Sequence, residues 1–137
     1  MSCKDIGGKF HRLYKNKDYK KIGELFTEAN AYERKCLEVV ILESVNVSSL
    51  HRDVTEILMH TSGKEKPLSH EALQKVLKDT IAVYLTETIS RGYKVHLIVV
   101  RFRGGQQRAL KSLSSKDRAL EIFGVLKMLA IVNKLKA

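Results

Sequence analysis

The chain has 137 residues, 44% of them hydrophobic, with 25 Lys/Arg against 15 Asp/Glu and a formal net charge of +10. That is enough apolar material for one domain with a real core, but no apolar run reaches the roughly 18 residues that a membrane-spanning helix needs. The opening, Met1-Ser-Cys-Lys-Asp-Ile-Gly-Gly, carries no apolar signal segment, so Cys3 and Cys36 are expected to be free thiols in an intracellular compartment, cytoplasmic or nuclear.

The charge is segregated. Residues 1–21 carry a net +5, residues 22–90 a net −4 and residues 91–118 a net +7. Two basic segments around a mildly acidic middle suit a polyanion-binding surface, although each could be no more than a solvated face.

In chain order, residues 1–17 read as a basic arm, because Gly7-Gly8 breaks a helix. Phe10, Leu13 and Tyr14 interleave with Lys9, His11, Arg12, Lys15 and Lys17, a composition that stacks on bases and neutralises phosphates, or that docks a short helix on the core. Residues 18–137 read as a single helical domain. A long helix is expected over 18–44, capped by Asp18, with Ile22, Leu25, Phe26, Ala29, Tyr32, Cys36, Leu37, Val40 and Ile41 at helical spacing. Its β-branched end leaves 39–47 open to a strand. Ser48 or Ser49 then caps a short helix over 49–61, which ends in a polar turn closed by Pro67.

The spacing of Leu73, Val76, Leu77, Ile81, Tyr84, Leu85 and Ile89 predicts one long central helix over 69–91, capped by Ser69 and stopped by Gly92. The β-branched run Val95 to Phe102, between Gly92 and Gly104-Gly105, is the strand candidate; a lone strand must pair with 39–47 or with another chain, or be helical after all. Gln106 to Leu113 can make two helical turns, and Ser114-Ser-Lys-Asp117 opens a last helix over 115–135. That helix is apolar around most of its circumference, which makes it either the central core helix or a helix that gives part of its surface to a partner. The expected fold is therefore mainly α, with four to five helices, one long central helix and at most a small β element near 93–103.

A search for chemistry is largely negative. There is no phosphate loop, no G-x-G-x-x-G, no C-x-x-C and no H-E-x-x-H, and the five histidines share no ligand spacing. The reading is of a protein that is not an enzyme and has no cofactor and no metal. The residues expected to contact nucleic acid are Lys9, Arg12, Lys15, Arg91, Lys94, Arg101, Arg103, Arg108 and Lys111, mostly through phosphates. Those expected to meet a protein partner are Leu77, Ile81, Tyr84, Leu85, Phe123, Leu126 and Leu129.

One resemblance is carried by Val54-Thr-Glu-Ile-Leu-Met-His-Thr-Ser-Gly63, by Pro67 with Val76-Leu-Lys-Asp-Thr-Ile-Ala-Val-Tyr-Leu-Thr-Glu87, and by Arg108-Ala-Leu-Lys-Ser-Leu-Ser-Ser-Lys-Asp117. The short–long–short plan of these segments resembles the histone-fold subunits shared by general transcription factor IID and the SAGA coactivator, over residues 50–120. The resemblance departs at 93–105, lacks the acidic pair that opens the third helix, and has no counterpart to 18–44. It implies a histone-fold-like protein that pairs with a second such fold in a transcription complex. The functional expectation is a basic helical protein that assembles with a protein partner or with itself and contacts DNA or RNA phosphates. The alternatives are a small RNA- or single-strand-binding component of a ribonucleoprotein or viral particle, and a pure protein-interaction adaptor.

Overall fold

The computed structural model describes residues 1–61, 63 and 65–135. Two residues of the expected polar turn, 62 and 64, lie outside the described residues, as do 136 and 137. Among the described residues the chain forms α1 (Cys3–Lys15), α2 (Tyr19–Glu28), α3 (Ala31–Ser44), α4 (Val47–Met59), α5 (His70–Asp79), β1 (Thr80–Ser90), β2 (Tyr93–Phe102), β3 (Gln107–Leu113) and α6 (Lys116–Leu135). The expectation of a mainly helical domain with a minor β element is corrected: the three strands form an antiparallel meander in the order β1-β2-β3.

The correction begins at Thr80. The expected helix 69–91 starts as foreseen, with Ser69 Oγ accepting from the Ala72 amide at 3.1 Å. It ends after Asp79, and Thr80 to Ser90 continue as strand. This half is rich in β-branched residues, Thr80, Ile81, Val83, Thr86, Thr88 and Ile89, whose χ1 restriction disfavours helix. Strand β2 supplies the pairing edge through a two-residue turn at Arg91-Gly92, both with positive φ (53° and 80°), which is the geometry of a type I′ hairpin. Residues 107–113, expected as helical turns, pair with β2 as β3. The plan implied by the histone-fold resemblance therefore fails over 80–87 and 108–113, where strands stand in place of helix.

The N-terminal half is also divided differently. The expected helix 18–44 is two helices, broken at Ala29-Asn30, because Asn30 and Glu33 close a reciprocal capping box (Glu33 N–H to Asn30 Oδ1 2.8 Å; Asn30 N–H to Glu33 Oε1 3.0 Å). The alternative of a strand at 39–47 is excluded by α3, which runs helically to Ser44. Asn46, rather than a serine, caps α4, accepting from Ser49 N–H at 2.9 Å. Residues 3–15 are a helix despite Gly7-Gly8: Ser2 caps it, and Ile6 and Phe10, one turn apart, are buried under it.

Helix α6 lies at the centre. On one side it packs against α2, α3 and α4, and on the other against β1, β2 and α5. Nearly all of its length is buried, including Phe123, Leu126 and Leu129. Its closest approach is to α2, where Gly124 faces the Tyr19 carbonyl and Gly23, and Gly23 faces the Leu120 carbonyl.

Cys3 and Cys36 are disulfide-bonded, and neither is a free thiol, contrary to the expectation. The bond ties α1 to α3 across a sequence separation of 33. Loop closure of that length restricts the unfolded chain by about 3–4 kcal/mol. Reduction with dithiothreitol, or the Cys3→Ser change, is expected to lower Tm by roughly 10 °C; equal thermal melts with and without reductant would contradict this.

Candidate nucleic-acid interface

The alternation of β2 sorts its residues between two faces. His96, Ile98, Val100 and Phe102 are buried on the side of α6, and Val83 and Leu85 of β1 pair with Val100 and Ile98 there. Tyr93, Val95, Leu97, Val99 and Arg101 point the other way. In register with them stand Ala82, Tyr84, Thr86, Thr88 and Ser90 of β1 and Gln107, Ala109 and Ser112 of β3. Among the described residues no helix packs on this outer face.

An uncovered face of an antiparallel sheet is normally polar. This one is not: Tyr84 is 41% and Tyr93 76% exposed, and Val95, Leu97 and Val99 between them are half-buried. None of its residues is acidic, and no Asp or Glu occurs anywhere from 88 to 116. Tyr84 lies directly opposite Val99, so its diagonal neighbours on β2 are Leu97 and Arg101. Tyr93 is six pairs along the hairpin from Tyr84, about 20 Å away. The face thus offers two separate tyrosine rings, an apolar middle and arginine at one end.

The expected basic residues are scattered over the molecule. Arg101 is on the outer face, and Arg108, opposite Val100 and so directed to the other face, is exposed on the edge strand β3. Arg91 and Lys94 are exposed at the β1–β2 tip, where Lys94 Nζ lies 3.4 Å from Glu87 Oε2. Arg103, on the β2–β3 turn, donates to the Asn133 carbonyl of α6 and so turns away from the outer face. Lys9, Arg12 and Lys15 are on α1, which packs on α2 and α3 and not on the sheet. The two basic segments of the sequence therefore do not make one surface.

Lys111 is not a surface cation at all. Its side chain is 2% exposed, and its ammonium sits 3.0 Å from Glu65 Oε1 and donates to the Lys66 carbonyl at 2.8 Å. Arg118 shares the same carboxylate, donating to Glu65 Oε1 at 2.9 Å, to Glu121 Oε1 at 2.7 Å, and to the Ile57 and His60 carbonyls at the end of α4. Burial pushes the Glu65 carboxyl pKa up, but the hydrogen bonds and charges of Arg118 and Lys111 outweigh it and hold the group below the usual carboxylate range. These two cations are spent on structure, and the free positive charge of 91–118 is smaller than the sequence implies.

The residues expected at a protein interface also divide. Phe123, Leu126 and Leu129 are interior residues of α6, and Leu77 is buried under α5. Leu85 packs on the core, and Ile81 is half-buried. Of the set, only Tyr84 presents its ring on the outer face.

Sequence reading missed Tyr93 and the Val95–Leu97–Val99 row. The signal was present in the period-two alternation of 93–102, which separates the odd positions with Arg101 from the buried even ones. One further polar cluster is structural: Tyr19 Oη donates to Asp53, whose other partner is Lys17 Nζ at 2.6 Å. Burial, then the hydrogen bond and charge of Asp53, push the Tyr19 pKa well above the ordinary phenol range, so the hydroxyl stays protonated. Among the described residues no cluster of His, Cys, Asp and Glu could hold a metal ion, and no helix is long and apolar enough to cross a membrane.

No protein-family model matches this chain, and neither a curated protein nor a solved structure matches it.

Proposed function

We propose that the protein binds single-stranded nucleic acid, RNA in the first instance, on the outer face of the sheet. One observation carries this reading: an uncovered antiparallel face that carries Tyr84, Tyr93 and Arg101 and no acidic side chain. Bases stack on exposed rings without regard to sequence, and a sheet presents such rings on a rigid, flat support. Arg101 meets phosphates beside them, so the contact is electrostatic in part and weak in base preference. A duplex cannot offer its base faces to the rings, which favours a single strand over DNA duplex. An intracellular site of action goes with this reading; there the Cys3–Cys36 bond is under reducing pressure.

Fluorescence anisotropy with a labelled oligouridylate across a salt series tests the proposal. The wild type is expected to bind with a falling log–log salt dependence. Tyr84→Ala is expected to cost about 1–3 kcal/mol with the salt slope unchanged. Arg101→Ala should flatten the slope by about 0.7 for its lost phosphate contact. A Tyr84→Ala protein that binds as tightly as wild type would exclude the stacking surface.

The half-buried Val95, Leu97 and Val99 favour a second reading, in which the same face docks a protein partner or a second copy of the chain. That association would be insensitive to salt, and light scattering at two ionic strengths separates the two readings.

A further inference from the structure

Arg103 points into a different part of the molecule from Arg101 and Arg108. A pocket of about 550 Å³ opens between the start of α4, the end of α5, the end of α6 and the β2–β3 turn. This size is within the range of small-molecule sites. Three basic side chains line it, His51, Lys78 and Arg103, and no carboxylate does. Val47, Leu77 and Val132 supply apolar wall.

Two details make this more than a gap between helices. First, the imidazole of His51 lines the pocket, and its Nε2 has no hydrogen-bond partner among the described residues. Second, the carbonyls that would make the pocket electronegative are already occupied. The Leu77 and Thr80 carbonyls accept from Asn133 Nδ2 at 3.1 and 3.0 Å, the Asn133 carbonyl accepts from Arg103, and the Asp79 carbonyl accepts from the Arg103 backbone N–H at 2.9 Å. The Arg103 guanidinium is held by one bond to Asn133, which leaves its other donors for a ligand. The start of α4 adds the positive end of a helix dipole at Val47.

We propose that this pocket binds a small phosphorylated ligand with a flat apolar body, the chemistry of a mononucleotide. The phosphate lies between Arg103 and Lys78, beside the His51 imidazole, and the flat body rests on Val47, Leu77 and Val132. The pocket is independent of the outer sheet face, and neither reading requires the other.

Thermal shift and calorimetric titration of the full chain test it, with adenosine 5′-monophosphate, adenosine and inorganic phosphate as three separate probes. The monophosphate is expected to raise Tm by several degrees and to bind at least tenfold more tightly than either fragment. Lys78→Gln, at an exposed residue with no ion-pair partner among the described residues, is expected to weaken it at least tenfold with little change in the Tm of the free protein. Arg103→Ala should do the same to binding, with some loss of Tm from the lost Asn133 contact. No binding by the wild type at millimolar monophosphate would overturn the proposal. So would binding unchanged in Lys78→Gln, phosphate alone binding as tightly as the nucleotide, or binding lost in Tyr84→Ala, which would assign the ligand to the sheet.

Discussion

Gly124→Ala is expected to destabilise the protein by about 3 kcal/mol, the upper end for overpacking, with Tm lower by roughly 10 °C. Gly→Ala in the middle of a helix normally stabilises by about 1 kcal/mol, since alanine is the better helix former. The sign reverses here because α6 and α2 meet backbone to backbone. A Cβ at Gly124 would overlap the Tyr19 carbonyl and Gly23, and one at Gly23 would overlap the Leu120 carbonyl. These atoms belong to rigid helices and not to side chains that can rotate away. Gly7 and Gly8 in α1 provide the internal control, for there a Cβ meets only ordinary contacts, at 3.8 Å to Val40 Cγ2 and 3.6 Å to Arg12 Nη1. Gly7→Ala and Gly8→Ala should therefore raise Tm while Gly23→Ala and Gly124→Ala lower it. Thermal denaturation of the four single variants reads this directly, and a uniform sign would contradict the close crossing.

Arg118→Ala is expected to cost about 3–5 kcal/mol, because it strips a buried carboxylate of its main partner and leaves two helix-end carbonyls without a donor. Glu65 is 4% exposed, so water does not replace what is lost. Lys at 118 should recover only part, since one ammonium cannot span Glu65, Glu121 and the Ile57 and His60 carbonyls as the planar guanidinium does. The same cluster gives an acid dependence. The folded-state pKa of Glu65 lies below its ordinary 4.5. Its contribution is thus fully present above that value and is lost as pH falls through the lowered folded value. Glu65→Gln should be less stable than wild type at neutral pH, and its stability should fall less steeply on acidification. Urea denaturation at several pH values below about 5 would show parallel curves if the cluster were unimportant.

How much of this was legible in the sequence depended on whether local pattern and tertiary pairing agreed. Helix α6 was readable almost to its ends, because an apolar circumference has few other meanings. Strand β2 was readable from its β-branched run between glycines. Strand β1 was not. Ile81, Tyr84, Leu85 and Ile89 happen to keep helical spacing, while Val83 and Leu85, the residues that face α6, keep strand spacing, and both patterns share one stretch. What decides between them is the partner, and the Arg91-Gly92 turn that delivers it was read as a helix stop. The Asn30–Glu33 capping box was present as sequence but was overridden by apolar periodicity running across it.

The site was less legible than the fold for a related reason. Charge counts do not distinguish Lys111 and Arg118, buried against Glu65, from Arg101, which stands on the outer sheet face, or Arg108, which is exposed on the edge strand. Glu65 is about 50 residues from Arg118 in sequence, and no local pattern joins them. Nor does sequence say that Arg103, two residues from Arg101, lines a pocket on another side of the sheet. The disulfide was missed because the expected compartment argued against it, whereas proximity is set by the parallel packing of α1 on α3.

The most direct test of the outer sheet face as the nucleic-acid surface is amide chemical-shift mapping on the labelled full chain during titration with a short oligouridylate. The expected result is a contiguous set of perturbed amides at 84–88, 93–101 and 107–112, with α1 silent. Perturbations confined to Lys9, Arg12 and Lys15 and their neighbours, with the sheet unmoved, would contradict it and assign binding to the N-terminal helix.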